Sequence, residues 1–311
     1  MLVTLVRAAL VAEIAAGLLL AWWLHGRAGW LLPAGLALFV ALSLGVRLAI
    51  VCATMLLSWR VRARRDPGQQ LGPRGTLRLI LGEWAAMVAN NFFYLPLESL
   101  ALRADPPRAP TDRVPVLFLH GYFSNRAILR SLVRSLEAGG AGPLYTFNFR
   151  GLTTPIDALV AQLAGQVDEI ARATTQPKVV LVCHSMGGLV ARAYLARHGA
   201  GKVAKVVTMG SPHHGTALAR LGPGGNARQM RHASEFLAAL ARVEGEGGPG
   251  CPVTSIYSVH DNLVAPQDTS RLPWARNVAI HGVGHVDMLR SGLLHRLLAE
   301  ELREAGVAMA G

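Results

Sequence analysis

The residues around Ser185 have the types and spacing that acyl-transfer chemistry requires. The segment VVLVCHSMGGLVAR (179–192) reads as a buried strand, a sharp turn at Ser185 and a helix that starts at Met186. Such a turn holds the hydroxyl clear of the sheet, and the helix N-terminus favours the negative charge that develops during acyl transfer. The pattern G-x-S-x-G is complete except for Cys183 in place of the first glycine, and because cysteine is small we expect the turn to survive. The alternative is an ordinary strand-to-helix turn that contains a serine.

A serine nucleophile needs a base and an acid that orients the base. With this type of serine turn the chain order is serine, then acid, then histidine. The segment SIYSVHDNLVAP (255–266) places Asp261 in the loop after a strand, and Asp268 is a rival in the same loop. Asp157 and Asp168 precede the serine, which is the wrong order. Asp261 is therefore the predicted acid.

The segment NVAIHGVGHVDML (277–289) contains two candidate bases, His281 and His285. His281 falls within a predicted strand, where a side chain is as readily packed as exposed. His285 follows Gly-Val-Gly in a turn just before the last predicted helix. Because a base must reach the nucleophile from a loop at the carboxyl end of the sheet, His285 is the predicted base.

The segment FLHGYFSN (118–125) follows the first strong strand and predicts a loop that binds a developing oxyanion. The backbone N–H of Tyr122 is one predicted donor, and the backbone N–H of Met186 is the other. Two donors aimed at a tetrahedral oxyanion lower the barrier by about 3 kcal/mol each. His120, in the same segment, is interpreted as a structural loop residue and not as a base.

Beyond residue 113, short apolar runs alternate with helical patterns. This alternation predicts an α/β fold with a mostly parallel sheet that helices cover on both faces. The predicted strands are 114–120, 143–149, 178–183, 205–210, 254–259 and 277–282. The predicted helices are 125–139, 156–174, one from Met186 onward, and 289–302.

The first sixty residues contain most of the chain's excess hydrophobicity. Residues 8–24 and 30–58 are each apolar for about the length that spans a bilayer, so they predict an α-helical transmembrane hairpin. A signal peptide is the rival interpretation of the first run. Glu13 and Arg47 lie inside the apolar runs, where an unpaired charge is costly, and they could pair across the hairpin. The alternative is that the second run breaks at Arg47.

These patterns divide the chain into three parts: a two-helix membrane anchor (1–65), an amphipathic connector with a Pro-rich linker (66–112), and a catalytic domain (113–311). The boundary lies in the Pro-rich stretch 104–113. The connector contains an amphipathic helix at 76–90, which lies either in the membrane interface or against the catalytic domain.

The composition excludes few functions by itself. The formal net charge is +12, but the sequence has no zinc-finger spacing, ribonucleoprotein signature or basic region before heptads, so we expect no nucleic-acid partner. The three cysteines, at 52, 183 and 251, show no CxxC spacing and are interpreted as small hydrophobic side chains. The predicted chemistry requires no metal and no organic cofactor.

Residues 114–302 resemble the small bacterial lipases of the class 2 type, which are minimal α/β-hydrolases that cleave acylglycerols and simple esters. The matching stretches are LHGY, CHSMGG, SIYSVHDNLV and RNVAIHGVGHVDML, and MGSPHHGT (209–216) is similar to a stretch of larger bacterial lipases. The resemblance implies an α/β-hydrolase fold, a triad of Ser185, Asp261 and His285, and oxyanion donors at Tyr122 and Met186. It implies an acyl-ester or lipid substrate.

Three features depart from that family: Cys183, a long insertion at 216–250 and the apolar amino-terminal third. The insertion, with one predicted amphipathic helix, is either a lid or a surface excursion. A thioesterase, phospholipase or acyltransferase with the same triad remains an alternative, as does a non-catalytic membrane scaffold. The oligomeric state is left open.

The hairpin predicts a multi-pass protein of the bacterial inner membrane. Membrane lipid is therefore an expected partner. Four arginines follow the second apolar run, at positions 60, 62, 64 and 65, whereas the loop between the runs contains only Arg27. Because flanks rich in Lys and Arg stay on the cytoplasmic side, both termini and the catalytic domain are predicted to be cytoplasmic.

Overall fold

A six-stranded parallel sheet organises the larger part of the molecule. The computed structural model describes residues 2–309, and in these residues the strand order is β2-β1-β3-β4-β5-β6. The strands are Val116–Leu119 (β1), Leu144–Phe147 (β2), Val179–His184 (β3), Val203–Met209 (β4), Val253–Ser258 (β5) and Arg276–Ile280 (β6). Every neighbouring pair is parallel. The predicted α/β fold with a parallel sheet is confirmed.

Ten α-helices accompany this sheet within residues 2–309. They are Leu2–Ala28 (α1), Leu32–Arg60 (α2), Pro73–Ala89 (α3), Glu98–Ala101 (α4), Arg130–Ala138 (α5), Ile156–Thr174 (α6), Met186–His198 (α7), Gly224–Gln229 (α8), Glu235–Glu244 (α9) and Gly292–Glu304 (α10). A π-helical turn, Asn90–Tyr94, follows α3. Each central strand is buried on both faces because helices cover both.

Alternation along the strands divides the core into two layers. Leu117 and Leu181 point to one face, where they pack with apolar side chains of α6 and α7. Phe118 and Val182 point to the opposite face, where they pack with α5 and α10. Successive strand side chains point to opposite faces, so a run of apolar residues fills both layers. The loops at the carboxyl ends of the strands are left to form the site.

The two amino-terminal helices form an antiparallel hairpin with exposed apolar surfaces. By length and composition both could cross a membrane, with mean hydropathy of 2.0 for α1 and 2.4 for α2 over their most apolar windows. Glu13 of α1 and Arg47 of α2 form an ion pair at 2.8 Å, and Ser43 donates a hydrogen bond to Glu13 at 2.6 Å. The two charges inside the apolar runs therefore pair across the hairpin, and α2 continues through Arg47 without a break.

Helix α3 packs between α2 and the domain that contains the sheet. The indole N–H of Trp84 donates to the carbonyl oxygen of Leu44 on α2 at 3.0 Å. On the domain side, the Glu83 carboxylate accepts hydrogen bonds from the backbone of Val286 and Asp287. The open question about the connector helix is thus answered in favour of packing against the domain. The division at 1–65, 66–112 and 113–311 stays a prediction, and these contacts cross both of its boundaries.

Candidate active site

Ser185 lies at the tip of the turn between β3 and α7. Its backbone has φ of 55° and ψ of −124°, a left-handed region that a residue with a side chain rarely adopts. Its N–H donates to the carbonyl oxygen of Met209 at the end of β4 at 2.9 Å, which ties the turn to the neighbouring strand. The sharp serine turn expected from the sequence is present.

Glycines allow the backbone segments around Ser185 to approach closely. A Cβ atom at Gly121 would lie 2.8 Å from the Cβ of Ser185, and one at Gly187 would lie 2.9 Å from the carbonyl oxygen of Leu119. A Cβ atom at Gly188 would overlap Ser211. Real Cβ atoms do not occupy such positions, so Gly121 and Gly187 are required by the approach of the end of β1 to the serine turn and α7, and Gly188 by the approach of α7 to the segment after β4.

Cys183 occupies the place where the first glycine of the pattern is usual. It is the fifth residue of β3, is paired with Leu119 and Thr208 on the flanking strands, and is fully buried in the core layer that contains α6 and α7. Burial raises the pKa of its thiol, so the side chain is a neutral hydrophobic group. The turn accommodates this departure, as expected.

His285 and Asp261 meet in the loops after β6 and β5. The Nδ1–H of His285 donates to Oδ2 of Asp261 at 2.7 Å, and both side chains are buried. Oδ1 of Asp261 accepts from the backbone N–H groups of Leu263 and Val264, both at 2.8 Å. These bonds fix the carboxylate, which in turn leaves Nε2 of His285 as the proton acceptor.

Opposing effects act on the pKa of His285. Burial lowers it, but the charge of Asp261, the hydrogen bond to that carboxylate and the charge of Glu83 together raise it above its ordinary value. The neighbouring His184, whose ring lies 4.7 Å from that of His285, has a pKa well below its usual range because it is buried. The environment therefore favours the charged form of His285 and disfavours that of His184.

The alternative acid and bases do not take part in this contact. Two of them are exposed, and the third has hydrogen-bond partners at both ring nitrogens. Asp268 is exposed on the 3-10 turn after the Asp261 loop, and His281 is exposed immediately after β6. His120 is buried, donates from Nδ1 to the carbonyl oxygen of Gly121 at 2.9 Å and accepts at Nε2 from the N–H of Phe149 at 3.1 Å. Burial lowers its pKa to about 4, so it remains neutral and fixes the loop.

Tyr122 and Met186 lie on the two backbone segments that flank Ser185. Met186 is the first residue of α7, so its N–H is at the helix N-terminus. Tyr122 directly follows Gly121, where an added Cβ atom would point at Ser185. The Tyr122 hydroxyl donates to the carbonyl oxygen of Pro223 at 2.6 Å. Their assignment as oxyanion donors stays a prediction.

Ser185 and His285 both line one cavity of about 470 Å³. The rest of its lining is mostly apolar and includes Phe123, Ile128, Leu218, Leu221, Met230 and Val264. Two polar lining residues come from outside the sheet domain: Thr54 of α2 and Asn90 of the π-helical turn. The cavity suits an apolar acyl group next to a reactive polar centre.

The insertion at 216–250 forms part of this cavity wall and contains two helices, α8 and α9, where the sequence predicted one. The second helix is held to the core by a buried ion pair between Glu244 and Arg192 of α7, with Nε–Oε1 at 2.7 Å. The first is held by Asn226, whose side chain donates to the carbonyl oxygen of Leu152 at 2.9 Å. The insertion therefore packs against the domain and forms one wall of the cavity.

Sequence reasoning missed the residues that support the acid and base loops from the amino-terminal segment. Ser58 of α2 donates to the carbonyl oxygen of Asp261 at 2.9 Å, and Thr54 accepts from the side chain of Asn262 at 3.0 Å. Glu83 supports the loop after His285. One signal was present, since Glu83 is the only acidic residue in the otherwise amphipathic run 76–90.

Two comparisons of sequence match parts of this chain. Residues 114–231 match a protein family described as alpha/beta hydrolase fold. Over 151 residues the chain is 32% identical to a triacylglycerol lipase of Burkholderia plantarii, and this match covers 43% of the chain and 42% of the relative. The chain thus spans less than half the length of that curated relative.

Solved structures show the same architecture. A mature lipase of Bacillus licheniformis gives a TM-score of 0.53 at 18% identity, covering 66% of this chain and 97% of the other. A lipase B of Aspergillus fumigatus gives a TM-score of 0.58 at 18% identity, covering 66% of this chain and 56% of the other. At such identities the likeness concerns the fold. Together with the family match, it shows that the part of the chain that contains the sheet has the α/β-hydrolase fold.

Proposed function

We propose that the protein is a membrane-anchored serine carboxylester hydrolase that forms an acyl-enzyme on Ser185. The observation on which this rests is the shared cavity: a serine on a strained turn and a histidine bonded at 2.7 Å to a buried aspartate line the same apolar space. The similarity to a triacylglycerol lipase supports an acyl ester as substrate.

The reaction proceeds in two halves. Nε2 of His285 takes the Ser185 proton as Oγ attacks the ester carbonyl, and Asp261 stabilises the imidazolium. The N–H groups of Tyr122 and Met186 bind the oxyanion, and collapse of the intermediate expels the alcohol, which takes the proton from His285. Water then attacks the acyl-enzyme with the same proton transfers, which releases the acid and restores Ser185.

The hairpin of α1 and α2 is the proposed membrane anchor. Its exposed apolar surfaces support insertion, and the arginines at 60, 62, 64 and 65 support a cytoplasmic position for the domain at the inner membrane of a bacterium. Because Thr54 of α2 lines the cavity, the site adjoins the anchor itself. An ester held in or near the bilayer is therefore the proposed substrate.

A substrate panel on the full chain in detergent tests the activity. The panel contains p-nitrophenyl esters of several chain lengths, acyl-CoAs and phospholipids, and it is run on wild type, Ser185→Ala and Ser135→Ala, a change at an exposed serine of α5. We expect ester hydrolysis in wild type and Ser135→Ala, with a loss of about 10⁴–10⁶-fold in Ser185→Ala. Preferred turnover of acyl-CoAs or phospholipids would replace the carboxylester assignment.

The anchor is tested separately by carbonate extraction of membranes from expressing cells. We expect the full chain to stay in the membrane pellet after alkaline washing. Recovery of the intact chain in the soluble fraction would overturn the anchor while leaving the hydrolase assignment in place.

A further inference from the structure

Glu83 is a buried carboxylate outside the proposed triad, and it lies against the loop that contains His285. Its side chain is 0% exposed. Oε1 accepts from the N–H of Val286 at 3.0 Å, and Oε2 accepts from the N–H groups of Val286 and Asp287 at 3.1 and 2.8 Å. Helix α3 is thereby bonded to the two residues that follow His285.

Glycines on both sides of this contact let the helix and the loop approach closely. A Cβ atom at Gly284 would overlap the Glu83 carboxylate, and one at Gly82 would lie 2.5 Å from Oδ2 of Asp287. The same Cβ at Gly284 would lie 3.0 Å from Oδ1 of Asn262, which accepts from the N–H of His285 at 3.0 Å. The backbone of 284–287 is therefore held between Asn262 on the acid loop and Glu83 on α3.

The Glu83 carboxylate also acts electrostatically on the base. Burial raises the pKa of Glu83 to about 7, an effect that hydrogen bonds from the 286–287 backbone and the charge on His285 only partly offset. The negative charge of Glu83 in turn contributes to the raised pKa of His285. The charged forms of Glu83 and His285 therefore stabilise each other.

The charged side chains around the contact between α3 and the base loop include Asp261, Asp287 and Arg290. The charge of Asp261 raises the pKa of Glu83. The carboxylate of Asp287 lies against Gly82, and Arg290 is 4.0 Å from that carboxylate. A buried carboxylate whose charge interacts unfavourably with that of Asp261 is costly for folding, and an apolar residue of similar size would avoid that cost. A function in the site explains why the acid is there.

We infer that Glu83 is a positioning residue for the catalytic base: it holds the 284–287 backbone so that His285 faces Ser185, and its charge favours the imidazolium that forms when the serine attacks. The inference rests on the proposed function, because it assigns His285 the role of base. It also means that the amino-terminal segment completes the site, since α3 precedes the hydrolase domain in the chain.

Three substitutions in the full chain separate the two contributions. Glu83→Ala removes both the hydrogen bonds and the charge. Glu83→Gln keeps an acceptor of the same length and removes the charge. Glu83→Asp keeps the charge and shortens the side chain by one methylene, so it tests whether the reach of the carboxylate matters.

We expect Glu83→Ala to lower kcat for a short p-nitrophenyl ester by about 10–100-fold, with KM nearly unchanged, because misplacement of a reacting group slows chemistry more than binding. In Glu83→Gln the acid limb of the kcat/KM profile moves to lower pH, because the base loses a nearby negative charge. In Glu83→Asp the acid limb stays near its wild-type position. If Glu83 had only a structural role, Glu83→Gln would leave the acid limb of the kcat/KM profile at its wild-type pH.

Glu301→Gln is the matched control. Glu301 is also a buried carboxylate, but it binds Lys205 at 2.6 Å and Thr254 at 2.6 Å at the amino-terminal end of β5, opposite to the site. We expect its pH profile to match that of wild type. If Glu83→Ala kept wild-type kcat and Glu83→Gln kept the wild-type acid limb, the inference would be wrong.

A second readout does not depend on turnover. NMR titration of selectively labelled histidine in the full chain, assigned with a His285→Asn variant, gives the pKa of His285 directly. We expect a lower pKa in Glu83→Gln than in wild type, and equal values would overturn the inference. If wild type neither hydrolysed esters nor reacted with fluorophosphonates, the proposed function would fail by itself, while this titration would still decide whether Glu83 acts on His285.

Discussion

The proposed nucleophile and its two proposed partners are held in place in different ways. The Ser185 turn is fixed by its own strand, by the helix that follows and by glycine contacts with the end of β1. The loops of Asp261 and His285 have bonds of their own and are also bonded to the amino-terminal segment. Ser58 of α2 bonds the first loop across a separation of 203 residues, and Glu83 of α3 bonds the second across separations of 203 and 204 residues.

This difference means that a local motif can specify the conformation of the Ser185 turn, whereas the positions of Asp261 and His285, the proposed acid and base, also depend on distant contacts. The loops that contain Asp261 and His285 have hydrogen bonds within the sheet domain and further ones to α2 and α3. The amino-terminal segment therefore has two proposed tasks, to anchor the protein and to complete its site. Four experiments test whether the Ser185 turn and the loops of Asp261 and His285 differ in this way.

The largest expected effect comes from the two histidines that flank Gly-Val-Gly. His285→Ala removes the proposed base, so we expect ester hydrolysis to fall by about 10⁴-fold or more. His281→Ala, at the exposed residue after β6, serves as the control and keeps nearly full activity. Loss of activity in a folded His281→Ala protein would mean that the base is misassigned.

Shortening the chain has the next largest effect. A protein that starts at Thr111 lacks Glu83, Ser58 and Thr54, so we expect kcat for a water-soluble ester to fall by about 100-fold, at least as far as in Glu83→Ala. A protein that starts at Arg65 keeps α3 and serves as the comparison, with a smaller loss. Full activity of the Thr111 chain would show that the domain positions its acid and base alone, as the boundary at 104–113 suggests.

Adding one methyl group tests the contact between α3 and the base loop. In Gly284→Ala the new Cβ overlaps Glu83, so the loop must shift, and we expect kcat to fall by about 10–100-fold. In Gly165→Ala, on α6, a Cβ meets nothing within 4 Å, so activity is unchanged. If steady-state kinetics gave the two alanine variants the same kcat, the close contact would be unimportant.

The smallest expected effect is at Ser58. Ser58→Ala removes one hydrogen bond to the carbonyl oxygen of Asp261, but Gln267 still donates to that oxygen at 2.8 Å. We expect a loss of about 1 kcal/mol in the free energy of unfolding, or about 2–4 °C in the thermal midpoint, with a smaller loss of activity than in Glu83→Ala. A larger rate loss than in Glu83→Ala would show that the contact of Ser58 with the Asp261 loop matters more than the contact of Glu83 with the His285 loop.

Much of the fold could be predicted from the sequence because its elements follow from local periodicity. All six strands occur within a few residues of their predicted ranges, and α6 occupies Ile156–Thr174, as predicted. Helix α8 was missed because it begins with two glycines, Gly224 and Gly225, which have poor helix propensity. Its turn is stabilised by tertiary contacts, including the hydrogen bond from Gly225 N–H to the carbonyl oxygen of Thr153 at 2.9 Å.

The candidate site could be predicted in part for the same reason. Ser185 sits in a motif whose function depends on neighbours in sequence, and the segments around Asp261 and His285 have a recognisable order. The contribution of Glu83 could not be predicted, because a lone acid in an amphipathic helix reads as a solvated residue until the loop that covers it is known. Its burial is a property of tertiary packing, which no local pattern contains.

The most direct test of Ser185 as the nucleophile is to find where a fluorophosphonate reacts. The full chain in detergent is treated with the reagent, digested and analysed by mass spectrometry, alongside Ser185→Ala and Glu83→Ala. We expect a single adduct on Ser185, no adduct in Ser185→Ala and slower formation of the same adduct in Glu83→Ala. An adduct on another serine, or none on a folded wild-type chain, would contradict the assignment of Ser185 as the nucleophile.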